Sequence, residues 1–102
     1  MQLVQILLPL TDNDGNPFPS QMFQTLKADL TKAYQGATAF VQAPAQGRWS
    51  QDNASAAEED IVIFEVMIAD LDLGQWQQRR GDLESRFQQE RVVIRRMGIG
   101  LI

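Results

Sequence analysis

The chain has 102 residues, 44% of them apolar, a net charge of −4 at pH 7, and neither cysteine nor histidine. That length and composition suit one ordinary globular domain, residues 1–102, and argue against disorder. Without cysteine there is no disulfide framework and no thiolate metal site. Without histidine there are no imidazole bases, Ser-His-Asp triads, facial-triad iron or His-ligated haem.

The first residues, Met1 to Pro9, lack the basic n-region and small-residue cleavage site of a signal peptide and are too short to span a bilayer. A cytoplasmic chain with no membrane partner is expected. The negative net charge disfavours phosphate backbones, so no nucleic-acid partner is expected either. Arginines gather late (Arg79, Arg80, Arg86, Arg91, Arg95, Arg96), and acids gather in early and middle loops. That pattern reads as a solvated helix face with two acidic loops.

Gln2–Leu8 alternates in the manner of a strand and is closed by Pro9. Thr11 to Pro19 is dense in Asp, Asn, Gly and Pro, the residues of turns. Ser20 then offers an N-cap to a helix whose Phe23, Leu26, Leu30, Ala33 and Tyr34 recur at helical spacing, with Gly36 as its C′ residue. Ala37–Ala43 reads as a second strand. Residues 44–59, with Gly47-Arg48-Trp49, read as a long hairpin, because bare loops beyond about 12–15 residues are uncommon in compact domains.

Ile61–Ile68 is the strongest strand, β-branched and aromatic throughout with one charge, Glu65. Such a run predicts a central strand. Asp70 and Asp72 introduce a second helix over Leu73–Gln89, with Trp76, Leu83 and Phe87 on one stripe. Gly81 weakens it by about 1 kcal/mol relative to alanine. Val92–Met97 makes a fourth strand, and the small, apolar tail Gly98–Ile102 follows.

The order strand, helix, strand, strand, helix, strand predicts an α+β, ferredoxin-like βαββαβ sandwich. Right-handed crossovers place strands one and three in the middle of a four-stranded antiparallel sheet, with both helices on one face. Parity then sends Val4, Ile6, Leu8, Val62, Phe64, Val66 and Ile68 towards the helices. Leu3, Gln5, Leu7, Ile61, Ile63, Glu65 and Met67 are left on the open face. A wall so apolar marks an interaction site, and its simplest closure is a homodimer with two sheets face to face.

Gln5 and Glu65 interrupt that wall. Arg95 and Arg96 are successive, so one of them faces the open side, and Thr38 or Gln42 can join from the second strand. A carboxylate, an amide and a guanidinium within apolar surroundings suit a small-molecule effector site. The plainer alternative is that Glu65 and an arginine form an ion pair that sets the dimer register. Trp49 either packs over the seam or lids a pocket.

Other motifs fall away. Asp12-x-Asp14-x-Asn16 matches the start of an EF-hand loop, but Pro17 replaces its glycine and Phe23 its final glutamate. RNA-recognition modules share this strand order yet need aromatics on the open faces of strands one and three, which here are aliphatic or acidic. No P-loop or dinucleotide fingerprint occurs, so no cofactor is expected. The balance leans away from an enzyme. The catalytic alternative is a cofactor-independent enzyme with Glu65 as acid/base and Arg95 or Arg96 holding an anion.

Gly47-x-Trp49, Glu59-Asp-Ile-Val-Ile-Phe64 and Arg86-Phe-Gln-Gln-Glu-x-Val92 together resemble a pattern in small uncharacterised bacterial proteins of presumed ferredoxin-like fold. The resemblance spans about the C-terminal half and implies fold and bacterial origin without an activity. At the level of fold the chain is also similar to dimeric α/β-barrel proteins, many of which rely on histidine, and to small regulators of the ACT and PII type. Asp12 to Pro17 resembles the ACT Asp/Gly loop.

Overall fold

Backbone pairing sorts the described residues into six elements in the predicted order. A computed structural model describes residues 1–42 and 60–102, so the expected hairpin over 44–59, with Trp49, lies outside the described residues. The elements are β1 (Gln2–Pro9), α1 (Ser20–Tyr34), β2 (Thr38–Gln42), β3 (Ile61–Ile68), α2 (Leu73–Arg86) and β4 (Val93–Gly98). The sheet runs β2-β3-β1-β4, every neighbouring pair antiparallel, with β1 and β3 central. This is the α+β, ferredoxin-like arrangement.

Parity along β1 and β3 decides what is core. Val4, Ile6, Leu8, Val62, Phe64, Val66 and Ile68 join Leu26 and Leu30 of α1 and Trp76 and Leu83 of α2 in one buried cluster. Alternate residues of the same strands point the other way, as period-2 side-chain geometry requires.

Aromatic contacts tie the two helices together at both ends. Phe87, just past α2, meets Phe23 of α1 at 5.4 Å and Phe18 of the preceding loop at 5.1 Å, and Phe23 stacks on Phe64 of β3. At the opposite end Tyr34 of α1 stacks on Trp76 of α2 at 5.5 Å. Arg79 lies 5.1 Å above the Trp76 ring, a cation–π contact. The start of one helix thus meets the end of the other, which sets them antiparallel.

The helix ends depart from expectation in detail. Ser20 does not cap α1: it is already the first helical residue, and Pro19 occupies the N-cap with no side-chain bond. A proline ring fixes φ near the value helix entry needs, which serves in place of the hydroxyl. The left-handed turn that ends α1 falls on Gln35 (φ 63°), one residue before Gly36. In α2, Asp72 is the cap and accepts from the Gln75 amide at 3.1 Å. The helix stops at Arg86, short of Gln89, because the Phe87 ring is drawn into the core and Gln88 turns left-handed at φ 52°. The loop after β1 is a self-satisfied turn: Asp12 accepts from the amides of Asp14 and Asn16 at 2.9 and 2.8 Å. Its carboxylate is spent on its own backbone, as the turn reading expects.

Phe87→Ala should cost about 3–5 kcal/mol, because a large buried ring leaves a cavity. Val41→Ala, on an exposed edge position, should move stability by no more than about 0.5 kcal/mol. Urea unfolding midpoints of the two variants check the difference.

Candidate functional site

The open face is built from registered rows. Gln5 of β1 stands opposite Glu65 of β3 on one side and opposite Arg95 of β4 on the other. Thr38 of β2 stands opposite Glu65, so one polar row crosses all four strands. The next row on one side is Met67, Leu3 and Met97. On the other side lies Phe40, Ile63, Leu7 and Val93. A single polar stripe therefore runs between two apolar ones.

Within the stripe Gln5 is a bridge. Its Nε2 donates to Glu65 Oε2 at 2.5 Å, and its Oε1 accepts from Arg95 Nε at 2.7 Å. The amide orientation follows from chemistry alone: a carboxylate only accepts and a guanidinium only donates. Gln5 is only 8% exposed, so both bonds matter; a buried amide without partners costs about 1–3 kcal/mol. Glu65 is half-buried and Arg95 exposed.

The register also separates the two arginines. Arg95 shares the open face, whereas Arg96 lies opposite Val4 and so faces the helix side. There it lines a separate groove of about 180 Å³ with Trp76, Ile94 and Arg80. Gln42 falls at the level of Ile61, four residues along β2 from Thr38, and so outside the polar row. Of the expected site residues, then, Gln5, Glu65 and Arg95 come together, Arg96 does not, and Trp49 lies outside the described residues.

One feature of the site leaves little sign in the sequence. Pairing of β2 with β3 stops at Thr38–Glu65, so among the described residues Val66 to Ile68 have no partner on that side. An open cleft of about 450 Å³, lined also by the α1–β2 connection at Gln35, Gly36 and Ala37, lies in this notch. Its walls include Leu3, Tyr34, Thr38, Glu65 and Met67. Only the short reach of β2 beyond the Gly36 turn hints at it. Among the described residues no cluster of acidic side chains is arranged to hold a metal, and no helix is long and apolar enough to cross a membrane.

Fold and face together define a ferredoxin-like sandwich with an apolar open face crossed by one polar stripe. No family model matches the chain, and no curated protein matches it. Among solved structures it is similar to a phage SAM lyase in complex with S-methyl-5′-thioadenosine, at a TM-score of 0.61 and 15% identity. The match covers 94% of this chain and 79% of that one. At that identity the likeness is one of fold. The expected resemblance to small bacterial proteins finds no family match, and what the comparison supports is the fold.

Glu65→Ala should destabilise the protein by about 1–3 kcal/mol in urea, because it strands the buried Gln5 amide. Adding Gln5→Leu to that variant should recover most of the loss, since no buried polar group then lacks a partner. A double variant less stable than Glu65→Ala would contradict this account of the bridge.

Proposed function

We propose that the protein is a homodimeric binding module whose two copies stack their open sheet faces. One observation carries this reading: of the apolar side chains framing the polar row, four are large and exposed, while Leu3 and Leu7 are half-buried and Ile63 is buried. Phe40 is 40% exposed, Met67 53%, Val93 48% and Met97 43%. A monomer rarely leaves several large apolar side chains of one sheet face in water, and a facing sheet at about 10 Å would bury them. The exposed Leu101 and Ile102 follow β4 in the chain.

Light scattering should give twice the 11.5 kDa chain mass at tens of micromolar. Met67→Glu should keep the circular dichroism of the parent while weakening the dimer at least about tenfold, because a carboxylate would be buried without a partner. A parent that runs as a clean monomer at that concentration defeats the reading.

A second reading is favoured by the notch beside Glu65. A cleft of about 450 Å³ falls within the range of roughly 300–1,000 Å³ used by small-molecule sites. One carboxylate beside the apolar pair Leu3 and Met67 suits a cationic ligand with apolar substituents, such as a sulfonium. The fold shared with a SAM lyase makes S-adenosylmethionine and S-methyl-5′-thioadenosine the natural probes. In this reading Glu65 is the acid/base or charge-stabilising group of a cofactor-independent enzyme. Calorimetry with the two probes should show saturable binding, and Glu65→Gln should weaken the cationic probe far more than the neutral thioether. Absence of heat and of turnover with either compound counts against it.

A further inference from the structure

Charge is graded along the polar row, negative at Glu65 on β3, neutral at Gln5 on β1 and positive at Arg95 on β4. Neighbouring strands lie about 4.8 Å apart, so the strands carrying the two charges are separated by about 10 Å with the amide between them. Among the described residues no ion pair includes Glu65 or Arg95. Arg95 bonds to Gln5 through its Nε, and Glu65 through its Oε2. The terminal amino groups of Arg95 and Oε1 of Glu65 have no hydrogen-bond partner among the described residues.

Resting on the stacked-face reading above, we propose that the dimer axis runs along β1, so that Arg95 of each copy pairs with the partner's Glu65. A twofold axis relating two facing sheets lies in the plane between them. Two directions keep the strands aligned: along them, or across them. With the axis across the strands, each residue of the row meets its own copy, glutamate over glutamate and arginine over arginine. With the axis along β1 the row is reversed on the partner, and negative meets positive twice. Gln5 sits midway between the two charges, directly under that axis. The same rotation sets the exposed Met67 over the partner's exposed Met97, apolar on apolar. The charged row is thus a self-complementary key for one orientation, an isologous contact in which each half of the pattern fits the other. The Glu65 site is incomplete without the second copy.

Charge reversal with mixing tests this by sedimentation. Glu65→Arg alone and Arg95→Glu alone should each weaken the homodimer by at least tenfold, since like charges then face one another. The double reversal should return to within about threefold of the parent, because its row is again graded. Equal mixing of the two single variants should give heterodimers near the parent affinity, a rescue that no intrachain effect can produce. If both single variants dimerise as well as the parent, the axis is wrong while the stacked dimer stands. If the parent itself does not dimerise, the underlying reading falls. Should a reversal fail to fold by circular dichroism, Glu65→Gln and Arg95→Gln replace it. Each leaves a charge facing no partner, and their combination should recover at least tenfold over the product of the single losses; simple additivity would overturn the pairing.

Discussion

The register of β1 between β3 and β4 governs everything else in this domain, because each residue of β1 is read from both sides. Slip it by one position, and Val4, Ile6 and Leu8 leave the helix side while Gln5 is driven in beside Phe64. An unpartnered amide there, together with the lost apolar burial, would cost several kcal/mol, a large part of the roughly 5–15 kcal/mol that holds a domain together. The hydrogen bonds of Gln5 to Glu65 and Arg95 add a second lock on the same register, since only one alignment brings all three to one level. The polar row and the core thus depend on the same constraint, viewed from opposite faces of the sheet.

Helix placement follows from that sheet. Phe23 and Phe87 close one end of the helical layer, and Tyr34 and Trp76 close the other, each pair fastening to residues that β3 and β1 have already directed inward. Since both helices lie on one face, the other face has no element among the described residues to cover it. In the proposed dimer, the graded charge between its apolar rows supplies direction as well as affinity. The two proposed readings use that face and the notch on its rim, and both include Glu65. The same carboxylate can set the dimer geometry and border the cleft, which joins the two functional readings physically.

Much of this was legible from residue order. Period-2 alternation in Gln2–Leu8 and Ile61–Ile68 separated core from open face, because side chains of a strand must alternate whatever the partner. Helical spacing located α1 and α2, and the absence of histidine and cysteine removed whole classes of chemistry outright. The meeting of Gln5 with Glu65 also followed, since both lie mid-strand on strands that this topology places side by side. What local pattern could not supply was anything that depends on where two distant segments stop. The caps of α1 shifted because Pro19 and Gln35 took backbone roles first assigned to Ser20 and Gly36. The choice between Arg95 and Arg96 needed the pairing of β4 against β1, because either parity satisfies an exposed edge strand.

Composition and periodicity alone therefore determined a βαββαβ sandwich with one aliphatic face broken by Gln5 and Glu65. Tertiary structure decided that Arg95 completes the polar row, that Arg96 belongs to the helix side, and that β2 begins only at Thr38, late enough to open a cleft beside Glu65. The physical reason is the same in each case. Alternation is a property of one strand and can be read along the chain, whereas register and pairing length are properties of two strands and exist only once they meet.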